Sequence, residues 1–264
     1  MLSQLGLGPY VTNTCRNGPK PSVLRAGPGA SAYTPAGAAR NEPLEWDGDP
    51  LTLEISMKLY EFAPTRSIRV RWTLQELGVD FEAITVNLGA GEHRRPEFLK
   101  LNPAGKIPLL VDGDLVLSES VAIVKYLAEK YPDRGLLPTG LRNRAEVDRW
   151  LLFTATELEQ PLWRISRHTA VYPVNDRIPG DVPLASRDFK QMAPVAEQHM
   201  QGRQFVVGDH VTVADFVLAY TLDWANELGL LADCPNLRGY IERMYSRPRA
   251  APRIAAALRS VGMR

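Results

Sequence analysis

The chain has 264 residues, 45% of them apolar, and sets 31 Lys and Arg against 30 Asp and Glu for a formal charge of +1. That length and composition support one large buried core or two small ones, and the even charge balance offers no basic field for nucleic acid or an anionic bilayer. No apolar run approaches the roughly 20 residues of a membrane-crossing helix, so a small-molecule partner is expected, with no nucleic acid and no membrane.

Residues 1–56 are rich in Gly, Pro, Ser, Ala and Thr, as in GPKPSVLRAGPGASAYTPAGAAR, and hold neither a helical period nor a sustained alternation. They read as a disordered extension. Arg16, Lys20, Arg25 and Arg40 precede the first acid, Glu42, which is the charge pattern of an organellar transit peptide without its amphipathic helix. The alternative is a start placed too early, with Met57 as the natural first residue. Cys15 in this segment stands far from Cys234, with no CxxC or metal-ligand spacing. This argues against a disulfide framework and a zinc site, and for a reducing, cytoplasmic setting.

From Met57 the pattern changes. KLYEF predicts a strand, RSIRVRWTLQELG a helix stopped by Gly78, and DFEAITV a second strand. EHRRPEFLKLNP predicts a loop with a short helical turn, IPLLVDGDLVLS a hairpin across Asp112-Gly113-Asp114, and SESVAIVKYLAEKY an amphipathic helix. The order βαβ then ββα over 57–132 is that of a thioredoxin-like α/β domain, whose sheet presents ligand sites beyond its strand ends. Pro132, Asp133, Gly135, Pro138 and Gly140 place a linker at 133–143. Over 144–264 an all-α C-terminal bundle is expected, with helices at RNRAEVDRWLLFTATELEQPLWRISRH, DFKQMAPVAEQHM, VADFVLAYTLDWANELG and NLRGYIERMYSRP. Thr212, three residues ahead of Asp215, predicts a capping box at the start of the most apolar of these helices.

Three constellations can carry chemistry. In Ala63-Pro64-Thr65-Arg66-Ser67 a hydroxyl sits where a helix begins, and the free N–H groups and dipole there favour an anion. A hydrogen bond from Thr65 or Ser67 to a sulfur would stabilise its thiolate and activate it as a nucleophile; the plain alternative is N-capping by Thr65. In Asn102-Pro103-Ala104-Gly105-Lys106-Ile107-Pro108-Leu109, proline at a strand start points to a sheet edge or an unusual peptide geometry. A cis Ile107–Pro108 bond would turn the Ile107 backbone outward to pair with an extended peptide, against the commoner trans form. In Ser118-Glu119-Ser120, Ser120 and the free N–H groups of a helix start suit a carboxylate while Glu119 suits an ammonium, again with capping as the plain alternative.

Taken in order and at this spacing, LNPAGKIPLL, LSESVAIVKYLAEKY and VTVADF make Met57 to Pro248 resemble a cytosolic glutathione transferase. The resemblance implies that the sheet half holds glutathione as co-substrate, without a metal, and that the helical half forms the pocket for a small apolar electrophile. It implies that Glu119 and Ser120 hold the γ-glutamyl end, that the backbone of Ile107 before a cis Pro108 pairs with the cysteinyl unit, and that Lys106 faces the glycyl carboxylate. Counting back from Arg69, which resembles the family's arginine in the first helix, puts Thr65 at the thiol-activating position, with Ser67 behind it as second choice. A homodimer is implied as well. Peroxidase, dehalogenase or isomerase chemistry would use the same thiolate, and a non-catalytic binding module is the alternative of another class. No cysteine falls at 63–67, which disfavours thiol–disulfide chemistry, and Tyr60 is read as strand packing. His93 and His168 are read as solvent-facing, and Trp150, Phe153, Trp163 and Tyr220 as core in preference to substrate wall.

Overall fold

The computed structural model describes residues 57–260; the reading of residues 1–56 lies outside them. Strand β1 (Met57–Glu61) drops Met57 and Leu59 into the core and turns Lys58 out to Glu82, 3.4 Å away. It is followed by helix α1 (Ser67–Leu77), which ends at Gly78 with φ at 66°, a left-handed stop that glycine takes without penalty. Strand β2 (Glu82–Thr85) lies parallel to β1, whose other side pairs antiparallel with β3 (Leu109–Asp112), and β3 pairs antiparallel with β4 (Leu115–Ser118). The sheet order is β2-β1-β3-β4. Asp112 pairs with Leu115, so the hairpin turn is Gly113-Asp114 alone.

Of the two readings of Pro108, a sheet edge or an unusual peptide geometry, the edge is excluded because β3 is an interior strand: the proline stands one residue ahead of the ladder, where no N–H is required of it. A short helix α2 (Pro96–Leu101) precedes this turn, and α3 (Ser120–Lys130) closes the sheet half against α1. Asp112 ties α3 to the sheet, accepting from Tyr126 Oη at 2.6 Å and pairing with Lys130. Tyr60 packs edge-on to Phe98, their centroids 6.0 Å apart, which is the strand-packing role expected of it.

The helical half comprises α4 (Leu141–Phe153), α5 (Glu159–Ser166), α6 (Asp181–His199), α7 (Val213–Glu227), α8 (Pro235–Tyr245) and α9 (Ile254–Ser260). One long helix was expected across α4 and α5. The chain stays helical there but widens into π turns at Thr154–Leu158 and Arg167–Val171, which re-aim the face that follows each of them. Apolar on every side, α7 is buried from Val213 through Ala225 and forms the centre of the core. Its capping box is present. Asp215 accepts the Thr212 N–H at 2.8 Å and also takes the Val206 N–H and the Tyr240 O–H, each at 2.9 Å.

Both halves share one core. Trp72 of α1 is fully buried, with its ring centroid 5.3 Å from Phe216 of α7 and 4.7 Å from Tyr245 of α8. Arg247 pairs with Glu76 of α1 at 2.7 Å on the same seam. One expectation in this half is corrected. The His168 side chain is 9% exposed: its Nδ1 accepts the Ile178 N–H at 3.1 Å and its Nε2 lies 3.5 Å from Asp181, so it anchors the chain leading into α6 instead of facing solvent.

Candidate active site

The loop from Phe62 to Ser67 is closed by the Thr65 N–H, which donates to Phe62 O at 2.9 Å. The Thr65 hydroxyl donates to the same carbonyl at 2.5 Å and accepts the Ser67 N–H at 3.3 Å. Its oxygen lies 2.9 Å from the Ser67 hydroxyl, which in turn accepts the Phe62 N–H at 3.4 Å. Ser67 is 1% exposed whereas Thr65 is half-buried, so of the two residues Thr65 is the one that reaches the surface, and Ser67 is buried beside it. Arg66 holds the N-cap position of α1 and offers no side-chain cap, but Thr65 does cap the helix in part, since its hydroxyl takes the N–H of Ser67, the first residue of α1. The helix dipole still sets a positive potential at this start.

The second constellation forms a shelf beside this loop. Ile107–Pro108 is cis, as the resemblance implied, and Ala63–Pro64 is cis as well, which the residues did not announce. The β3 ladder begins at Leu109, so the Ile107 backbone is not consumed by the sheet. Asn102 fixes the turn, donating through Nδ2 to Lys106 O at 2.7 Å, and the Lys106 side chain is exposed. Gly105 has φ at 59°, and a Cβ there would lie 2.9 Å from His93 O, so the close passage of the two segments requires glycine.

At the third constellation Glu119 has φ at 67°, the single non-glycine residue with positive φ among the described residues. A glutamate held in that sparsely allowed region points to a position with a task beyond packing. Its carboxylate is exposed, and Ser120 is the first residue of α3, whose N–H groups no side chain caps. Arg69 Nη1 donates to Ser120 Oγ at 3.2 Å. With its lone pair so engaged, the serine hydroxyl has its proton to give to an incoming carboxylate.

Arg69 is itself held by residues that sequence reasoning missed. It is 1% exposed and pairs with Glu159, the first residue of α5, while its Nη2 donates to Thr221 Oγ1 of α7 at 2.7 Å. The other carboxylate oxygen of Glu159 pairs with Arg66 Nε. Burial alone would push the Glu159 carboxyl up, but Arg69 and Arg66 outweigh it and hold the group below the usual carboxylate range. For Arg66, burial opposes the charge and the fields of Glu159, Tyr220 and Glu119 more than restore it. Tyr220 donates to Pro64 O at 3.0 Å, and burial pushes its phenol up to about 12, so it remains a neutral donor. Trp150 and Tyr220 are core residues, while Phe153 and Trp163 are only partly buried, and Trp163 stands against Arg66. Nothing in the period of TATELEQPLW marks Glu159 as buried; the π turn before it and partners some 90 residues away do so.

A helix-start hydroxyl, a cis-proline turn and an uncapped acid–serine turn stand together beyond one end of the strands of a thioredoxin-like sheet that carries an appended helical half. Comparison with known proteins agrees. Residues 55–129 match the family model "Glutathione S-transferase, N-terminal domain" and residues 181–248 match "Glutathione S-transferase, C-terminal domain". Among curated proteins, Glutathione S-transferase F10 of Arabidopsis thaliana is 34% identical over 202 residues, covering 72% of this chain and 94% of that relative. The crystal structure of glutathione transferase URE2P5 from Phanerochaete chrysosporium superposes with a TM-score of 0.68 at 28% identity, covering 78% of this chain and 95% of that one. A glutathione S-transferase-I bound with lactoylglutathione gives 0.64 at 28% identity, covering 74% and 96%. The chain belongs to the glutathione S-transferase family.

Proposed function

We propose that this protein is a glutathione transferase that binds glutathione on the sheet half and directs its thiolate onto a small, largely apolar electrophile beside the helical half. The observation that carries the reading is the uncapped start of α3. Exposed Glu119 is locked at positive φ there, and Ser120 is oriented by Arg69, so one spot offers an acid for an ammonium and donors for a carboxylate. That pair of charges is the zwitterionic γ-glutamyl end of the tripeptide.

The remaining residues fit the rest of the ligand. The Ile107 backbone ahead of Pro108 pairs with the cysteinyl unit as a one-residue strand addition, and Lys106 meets the glycyl carboxylate. Thr65 then lies nearest the sulfur. Its hydroxyl turns from Phe62 O, which keeps the Thr65 N–H, and donates to the sulfur, while Ser67 supports the Thr65 oxygen from behind. The dipole at the N-terminus of α1 adds a favourable field for the anion. Attack forms the carbon–sulfur bond, and the leaving group departs with its electron pair.

No helix among the described residues is long and apolar enough to cross a membrane; a cytoplasmic location and a homodimer are part of the proposal, the latter to be read by light scattering. Calorimetric titration with glutathione tests the central reading. Saturable binding in the micromolar to millimolar range is expected, and its absence refutes the assignment. Turnover of an activated aryl halide then separates a transferase from a binding module.

A further inference from the structure

We propose that Arg66 makes this site selective for electrophiles that carry a carboxylate, which it grips through the two terminal nitrogens of its guanidinium beside the glutathione sulfur. The inference rests on the transferase reading above and narrows its substrate class. Arg66 follows Thr65 directly, so its side chain leaves the backbone at the thiol-activating position. Among the described residues it hydrogen-bonds only through Nε, to Glu159. The terminal nitrogens have no hydrogen-bond partner among those residues, and the side chain is 30% exposed.

The fork is also held still. Its central carbon lies 5.1 Å from the Trp163 ring centroid and 5.8 Å from that of Trp224, contacts that restrain the plane of a guanidinium. Glu159 cannot swing away to release it, because its second oxygen is committed to buried Arg69. The division of labour between the two arginines is clear from their burial. Arg69, 1% exposed, is the structural cation that joins α1, α3, α5 and α7. Arg66 adds nothing to that join that requires an open edge, yet its open edge is what the fold preserves.

Charge leads to the same place. Two guanidiniums share one carboxylate, so the cluster carries one uncompensated positive charge. Glu119 also acts on Arg66 through its field, without a hydrogen bond to the guanidinium among the described residues. Two parallel N–H donors in a rigid plane match a carboxylate, whereas a single sulfur uses at most one of them well. The two indoles supply the apolar wall for the rest of the molecule.

The test uses a dinitrobenzoate bearing chlorine para to its carboxylate, and the methyl ester of the same acid. In both, the thiolate attacks the chlorine-bearing carbon, the carbon–sulfur bond forms, and chloride leaves with the electron pair. Wild type is expected to favour the acid in kcat/KM by about 10- to 100-fold, the range of a charge-assisted bidentate contact. Arg66→Gln should bring the ratio to about one, while Arg66→Lys, which keeps the charge without the fork, should fall between. Calorimetry with the two preformed thioether conjugates reads the same preference without chemistry, and melting curves show whether the variants fold. A wild-type ratio at or below one, or an equal loss for acid and ester in Arg66→Gln, overturns the proposal while glutathione binding stands. Failure of wild type to bind glutathione at all is a different result, which removes the transferase reading and this inference with it.

Discussion

Replacing Thr65 by valine removes the activating proton and keeps the branched shape. The loop does not depend on that proton, since the Thr65 N–H still closes onto Phe62 O at 2.9 Å, and losing the link to the Ser67 N–H at 3.3 Å costs about 1 kcal/mol at most. The chemical loss is larger in consequence. A hydrogen bond to a charged acceptor contributes about 1.5–3 kcal/mol, but in the free enzyme the hydroxyl already donates to Phe62 O, a neutral bond of about 1 kcal/mol that it gives up on turning to sulfur. The difference, about 1.5 kcal/mol, corresponds to about one pH unit in the pKa of the bound thiol. Without the donor the thiol pKa rises, so the thiolate fraction falls about tenfold at pH well below both pKa values and by less where the wild-type thiol is already partly ionised, and the acid limb of kcat/KM for the electrophile moves up by the same unit. Ultraviolet thiolate absorbance of the glutathione complex, titrated against pH for wild type, Thr65→Val and Thr65→Ser, measures this directly. Ser67→Ala should raise the pKa by a smaller amount, because it acts only through the Thr65 oxygen. A thiol pKa that stays within about 0.2 units of wild type in Thr65→Val would show that another group activates the sulfur.

Three further outcomes are expected. Glu119→Gln and Ser120→Ala should each weaken glutathione binding about tenfold with kcat changed by less than about threefold, since both act on the part of the ligand remote from sulfur; a selective loss of kcat would contradict their assignment. At Asp112, burial raises the carboxyl but Lys130 and Tyr126 outweigh it and hold the group below its ordinary range. Its contribution is therefore present above about pH 4 and lost as pH falls through the folded-state value. Asp112→Asn should cost about 1 kcal/mol at pH 7, at the low end because Lys130 is 35% exposed, and urea titrations of the two proteins should converge in acid. Asp215→Ala removes the carboxylate that accepts the Val206 and Thr212 N–H groups and the Tyr240 hydroxyl, so a loss of about 3–5 kcal/mol in the same titration is expected; less than about 1 kcal/mol would mean that water replaces the carboxylate.

Much of the architecture is written in short-range chemistry. The strand and helix of MKLYEFAPTRSIRVRWTLQELG follow from alternation, helical spacing and the glycine stop, and the hairpin from Gly113-Asp114 between two apolar runs. The Thr212–Asp215 box was legible because both partners lie within one helical turn. Three of the site's constellations were legible for the same reason, each lying in a single stretch of chain. Thr65 and Ser67 were visible as two hydroxyls at a helix start, and the resemblance put Thr65 first; the burial of Ser67 was not legible, because it depends on what packs over it.

Local pattern failed wherever a residue answers to a distant one. Glu159 carries no mark in its helical pattern, and His168 reads as an exposed imidazole, until α1, α6 and α7 are brought against them. Pro108 reads as a sheet edge or an unusual peptide geometry, and only the placement of β3 in the sheet interior excludes the edge. What the sequence determined by itself was the class of fold and three short segments that stand together at one end of the sheet, since hydrogen-bonding turns and apolar periods are properties of neighbours in the chain. Only the tertiary structure decided which charges are joined and which is left open, because an ion pair between α1 and α5 depends on how the halves pack, and packing sums contacts that no local window contains.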